Sequence, residues 1–224
     1  MAAAARAERP VLFSGEMVQA IRAGRKTQTR RVMKPQPKGV VGKTWPDPDS
    51  WAWPSSLART MVDINEARSL SPYGCRGDRL WVRETFALLW PGEGPPENAQ
   101  ENRVEYRADG DPSRFPGEWP PESAKDAERP RWRPGIFMPR WASRIVLEVT
   151  RVRIEQVQEI SEQDAAAEGV RPLQMDRGSY LPSFEGLWDT INAPRGYGWS
   201  TNPWVFVIEY RVIQGLAPAA SHSV

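Results

Sequence analysis

Chain breakers and short apolar runs limit what this sequence can build. Its 22 Pro and 17 Gly are unevenly spread and its hydrophobic runs are mostly of strand length, so regular structure is confined to stretches separated by two Pro-rich segments. From Pro35 to about Pro72 the residues Pro, Gly and Trp dominate, with Trp45, Trp51 and Trp53 as punctuation. From 87 to 130 Pro, Gly and Glu dominate, and Val104 to Ala108 is the one strand-like run. Unstructured loops of that length are unusual inside a compact domain. Both therefore read as insertions, at about 35–71 and 87–131, in a single domain over 11–213. A flexible leader (1–10) precedes it and a disordered tail (214–224) follows.

The remaining segments carry clear local signals. Ser14 is a natural N-cap, Glu16 suits the positive end of a helix, and Met17, Val18 and Ile21 mark its buried face until Gly24 stops it. Arg25 to Met33 reads as a strand with Thr29 and Arg31 on one face and Gln28 and Arg30 on the other. Lys26 has the wrong parity for the Thr29 face unless the turn out of the helix redirects it. Arg79 to Phe86 reads as one strand, with Glu84 sharing the face of Leu80, Val82 and Phe86, at the rim or paired with a cation. Arg144 to Gln156 is the longest strand signal, and its shift of apolar parity predicts a bulge near Thr150.

Ile160 to Gly169 is a compact helix, capped by Ser161 with Asp164 three residues on and stopped by Gly169. Glu168 falls in its last turn, where the helix dipole disfavours negative charge, so it needs a cationic neighbour or an elevated pKa. A second helix buries Phe184, Leu187, Trp188 and Ile191 and ends at Pro194. Arg195 to Trp199 reads as a mobile aromatic loop, and Trp204 to Val212 as a final strand with Trp204, Phe206, Ile208 and Tyr210 on one face. This order does not repeat parallel crossover units. It predicts an α+β fold, a small mixed or antiparallel β-barrel with short helices at its mouth.

Two counts exclude much chemistry. Cys75 is the single thiol and His222, in the C-terminal tail, the single histidine. Disulfide frameworks, Cys-based zinc sites and His-dependent triads are thereby removed. Any catalysis rests on hydroxyl, lysine, arginine and carboxylate groups, and no metal or cofactor is expected. No segment has the apolar length of a membrane span, so a soluble, cytoplasmic protein with no membrane partner is expected.

The positive charge is concentrated. Between Met17 and Pro46 stand eight Lys or Arg and no Asp or Glu, in a chain of net charge +2. That is the pattern of a surface that meets phosphate or another anion, against the plain alternative of a solvated basic strand. Trp45, Trp51 and Trp53 follow the cluster directly and could stack bases, or simply pin the insertion in place.

Gly24-Arg25-Lys26-Thr27-Gln28-Thr29-Arg30-Arg31, then Gly77-Asp78-Arg79-Leu80-Trp81-Val82, then a long strand leading to a helix with Glu168 at its end, then Trp204 to Glu209, together resemble the ASCH domain family of PUA-like barrels. The resemblance is to the phage and prophage branch, and its motif is similar to that of bacterial N4-acetylcytidine amidohydrolases. It implies Lys26, Thr29 and Glu168 as catalytic residues, Thr29 being the nucleophile, and Arg31 as a further member of the motif.

The chemistry can be argued on its own terms. Thr29 could attack an amide carbonyl if Lys26 took its proton, which requires a lysine pKa pulled well down by the like charges of Arg25, Arg30 and Arg31. Arg31 could hold the oxyanion and Glu168 could pass a proton to the leaving amine. Arg25, Arg30, Arg31, Glu84 and Trp81 form the expected ligand-binding set, although Trp81 also reads as core and Glu84 as half of a structural pair with Arg83. The expected function is binding of RNA, DNA or a modified nucleoside, with hydrolysis of an acyl amide on a nucleobase as its sharper form. The alternative is a non-enzymatic phage accessory protein that binds host RNA or a host protein.

Overall fold

The computed structural model describes residues 7–36, 50–51, 62–63, 71–88, 104–110, 132–173 and 178–215. Most of the two expected insertions, the start of the leader and nearly all of the tail lie outside them. So do Trp45 and Trp53, and of Trp51 only the backbone is described.

Strand β1 (Glu8–Leu12) leads through the Ser14 cap into helix α1 (Gly15–Arg22). The Ser14 side chain accepts from the Met17 amide, Val18, Ala20 and Ile21 are buried, and Gly24 takes the left-handed φ of 69°. Strand β2 (Gln28–Val32) follows. Two short pairs come next: β3 (Ser50–Trp51) with β4 (Val62–Asp63), and β6 (Phe86–Leu88) with β7 (Val104–Tyr106), the latter preceded in the chain by β5 (Arg79–Arg83). The long strand β8 (Val146–Gln156), helices α2 (Glu162–Ala167) and α3 (Leu181–Asn192), and strand β9 (Trp204–Gln214) complete the chain.

The architecture is mixed α+β, built on a five-stranded sheet of order β1-β5-β8-β9-β2. Only β1 and β5 are parallel; the other three pairings are antiparallel. The expected closed barrel is not formed: among the described residues no ladder joins the edge strands β1 and β2. The two edges meet instead through a side chain, Arg31 Nη2 donating to the Leu12 carbonyl at 2.6 Å.

Strand parity explains how the sheet is covered. From β9, Phe206, Ile208 and Tyr210 enter a large core with Phe13, Val18, Ile21, Leu80, Val82 and Val149. Val205 and Val207 face the other way, under Phe184 and Trp188 of α3 and Ala165 of α2. β9 is thus buried on both faces from Val205 to Ile208 and exposed from Arg211 to Gln214. The β8–β9 register slips between Val149 and Arg151, which puts the expected bulge at Thr150.

Four local expectations need correction. Glu8 to Pro10, read as leader, belong to β1 because β5 offers them a parallel ladder. The run from Arg79 to Phe86 is two strands: β5 ends at Arg83, and Phe86 enters a separate cluster with Met138 and Ala142. Ile191 is 44% exposed while Asn192 is buried. The aromatic loop is tied down as well, since Trp188 Nε1 donates to the Tyr197 carbonyl at 2.9 Å and the Trp199 amide donates to Asp189 at 2.6 Å.

Candidate functional site

The site begins at the exit of α1. After Gly24 the chain turns back, and the amides of Arg25 and Lys26 both donate to the Ala20 carbonyl, at 2.9 and 3.1 Å. The Thr27 amide then donates to the Ala167 carbonyl at 2.9 Å, and Lys26 pairs with Glu168 as an isolated antiparallel bridge. Two stretches 142 residues apart are thereby locked side by side at the end of α2.

Gly169 makes the approach possible. Its φ is +84°, and a Cβ there would stand 2.7 Å from Lys26 Cβ and 2.9 Å from Ala20 Cβ. Both the left-handed conformation and the missing side chain are needed.

Lys26 Nζ donates to Glu168 Oε2 at 2.8 Å and to the Glu168 carbonyl at 2.7 Å. Arg30 reaches the other carboxylate oxygen, Nη1 to Oε1 at 3.2 Å. Both side chains of the Lys26–Glu168 pair are buried. Burial is the largest influence on Lys26 and pushes its pKa down, the Arg31 and Arg30 guanidiniums push the same way, and Glu168 opposes them. Repulsion from the arginines, the expected cause, is secondary. The cation required beside Glu168 is present twice over.

The turn redirects Lys26 as the parity argument required. Its Nζ lies 5.6 Å from the centroid of the Phe13 ring, and the Arg31 guanidinium carbon lies 5.1 Å from the same ring. Thr29 pairs with Ile208 and Arg31 with Phe206, which places both on the face of the large core. Thr29 is buried.

Arg30 is a different kind of residue from the one expected. Its side chain is fully buried and holds Glu155 at 3.1 Å, Asp164 at 3.3 Å and Glu168 at 3.2 Å, with Phe184 beneath it. Arg153 reinforces the set through Glu155, Asp164 and Glu209. Burial pushes the Asp164 carboxyl up, but Gln28, Arg30 and Arg153 together hold it below the ordinary range. Arg30 is the hub of an internal ion network and is not free to receive a ligand. Arg25 lies at the rim, where Nη1 donates to the Gly169 carbonyl at 3.1 Å.

Glu84 and Trp81 lie elsewhere. Glu84 makes a two-pronged pair with Arg144, at 2.9 and 3.0 Å, and not with Arg83. Arg144 also stacks 3.8 Å from the Tyr106 ring and pairs with Asp109, which in turn pairs with Arg22. Burial raises the Glu84 carboxyl above its usual pKa and pushes the Tyr106 phenol up to about 12. Trp81 is buried on the sheet face opposite to Leu80 and Val82, flanked by Arg83 and Arg140. Among the described residues no hydrogen bond or ion pair joins Glu84 or Trp81 to Lys26, Thr29 or Glu168.

Two groups complete the site, Arg31, which the sequence marked, and Tyr210, which no sequence signal marked as a ligand group. The Tyr210 hydroxyl and Arg31 Nε are both buried without a hydrogen-bond partner. The Tyr210 ring stands 6.3 Å from Phe13, and its phenol is pushed up by burial first and then by the nearby Glu168 charge, with Arg31 opposing. The parity of β9 placed Tyr210 on this face, but parity cannot say that a hydroxyl lacks a partner.

Among the described residues there is no group of three or more His, Cys, Asp or Glu able to hold a metal ion, and no helix long and apolar enough to cross a membrane. No family model matches the chain, and no curated protein matches it. It is similar to a solved structure, protein EF3133 from Enterococcus faecalis V583, of family model DUF984, with 10% identity and a TM-score of 0.41 over 97% of this chain and 86% of that one. The resemblance to ASCH domains therefore does not stand, since no family model matches the chain.

Proposed function

We propose that this protein binds a small acylated ligand, of the modified-nucleoside class, and hydrolyses its acyl amide with Thr29 as nucleophile. The observation that carries this reading is a buried lysine, held below its ordinary pKa by burial and joined at 2.8 Å to a buried carboxylate, on a chain segment that also carries the buried Thr29.

Thr29 Oγ1 attacks the carbonyl carbon and its proton passes to Lys26. The C–N bond then breaks, and the amine leaves with a proton supplied through the Lys26–Glu168 pair. Water attacks the threonyl ester and releases a carboxylate. Arg30 donates to Glu168 Oε1 and so fixes the carboxylate whose other oxygen receives Lys26.

Among the described residues, the commitments of four arginines of the basic cluster support a small ligand over a nucleic-acid strand. Arg30 is enclosed, Arg22 is paired with Asp109, and Arg25 and Arg31 each hold a backbone carbonyl. Tracking a phosphate backbone needs a row of accessible cations.

The test is release of carboxylate from a panel of acylated nucleosides that includes N4-acetylcytidine. Wild type should turn over at least one of them, and Thr29→Ala should lose turnover while its circular dichroism is unchanged. Persistent turnover by Thr29→Ala removes the nucleophile assignment. Binding without turnover across the panel leaves a non-catalytic binding protein.

A further inference from the structure

We infer that Tyr210 and Arg31 form a two-donor subsite for an oxygen acceptor of the ligand, a carbonyl or carboxylate oxygen received at the Tyr210 hydroxyl and at Arg31 Nε. For the acyl group this refines the reading above, on which its catalytic meaning rests; the subsite itself stands on separate observations.

A buried hydroxyl without a partner forfeits its bonds to water and recovers none; among the described residues Tyr210 is the one hydroxyl in that state, beside four arginine Nε groups, those of Arg30, Arg31, Arg79 and Arg83. Here two such groups border the same aromatic ring: the Arg31 guanidinium carbon is 5.1 Å from the Phe13 centroid and the Tyr210 ring is 6.3 Å from it. The backbone holds both in place. The Tyr210 amide donates to the Thr27 carbonyl at 3.0 Å, and Arg31 Nη2 is anchored on the Leu12 carbonyl at 2.6 Å, which leaves its Nε edge uncommitted.

The chemistry of the pair restricts its occupant. An arginine N–H can only donate, and a phenol beside a guanidinium donates by preference, so the occupant must be an acceptor. Glu168 and Arg31 act on Tyr210 with opposite sign. The local field is therefore mixed, which suits a neutral carbonyl oxygen as well as a carboxylate.

The experiment labels tyrosine with ¹³C at Cζ, assigns the Tyr210 resonance by its loss in Tyr210→Phe, and titrates in acetamide or sodium acetate. Both titrations run in the Thr29→Ala background so that turnover plays no part. The Tyr210 resonance should move with at least one probe, acetamide identifying a carbonyl site and acetate a carboxylate site. Arg31→Lys should abolish that movement. In the absence of probe, Tyr210→Phe should leave the thermal midpoint unchanged or raise it, because it deletes a hydroxyl that bonds to nothing. A resonance unmoved by both probes, or a midpoint lowered by several degrees in Tyr210→Phe, overturns the inference whether or not the hydrolysis reading survives.

Discussion

Lys26 Nζ satisfies the carboxylate and the backbone carbonyl of Glu168 at once, at 2.8 and 2.7 Å, so a single ammonium answers both negative groups at the end of α2. Arg30 closes the carboxylate from the other side. The arrangement stores its cost in the unpaired states, since a buried charge deprived of its partner is far less stable than the intact pair.

The two halves of the pair should respond unequally. Glu168→Gln leaves Lys26 and Arg30 buried against a neutral amide and should destabilise the protein by about 3–5 kcal/mol. Lys26→Met should cost less, because Arg30 still neutralises Glu168. Urea denaturation of both variants measures the difference; equal midpoints would remove Arg30 from the account.

Because the folded pKa of Lys26 lies below its ordinary 10.5, the unfolded chain holds more protons than the native one between those two values. Stability conferred by this residue therefore rises with pH through that window, and below the folded pKa the full penalty of a buried ammonium applies. The stability of wild type relative to Lys26→Met should increase as pH climbs toward 10.5. Turnover by wild type should rise as pH passes through the lowered Lys26 pKa and level off before 10.5, since only neutral Lys26 accepts the Thr29 proton. A stability difference independent of pH contradicts the depressed lysine.

Gly169→Ala should be harmful out of proportion to one methyl group. The left-handed conformation alone costs about 1–2 kcal/mol for an alanine. The new Cβ must also displace Lys26 and Ala20, whose Cβ atoms stand 2.7 and 2.9 Å away. The expected signature is a lower thermal midpoint together with reduced turnover, because the displaced group is Lys26 itself.

Glu84→Gln separates structure from chemistry. Breaking its pair with Arg144 should destabilise the fold by about 3–5 kcal/mol, since both side chains are buried. KM and kcat of the remaining folded enzyme should match wild type. A changed KM would return Glu84 to the ligand.

Features whose cause lies within one turn or one ladder could be read from the chain. Ser14, Gly24, Ser161 and Gly169 bound their helices as their types predict, the parity of Thr29 against Arg30 holds, and the bulge at Thr150 follows from the apolar phase change. The need for a cation at Glu168 was also legible, because the helix dipole acts on its own last turn.

What could not be read is what depends on which strands become neighbours. Arg30 and Arg31 are adjacent in sequence and alike in charge, yet one is sealed within Glu155, Asp164 and Glu168 while the other borders Phe13 and donates to the Leu12 carbonyl. Glu84 finds Arg144 instead of its neighbour Arg83 because β5 pairs with β8, and Tyr210 comes beside Phe13 because β9 and the residue after β1 enter one core. Local sequence thus settled the helix ends, the strand faces and the supply of Lys, Thr, Arg and Glu. The order of strands in the sheet alone decided which charges were neutralised and which donors were left open, since partners so distant along the chain meet only through tertiary packing.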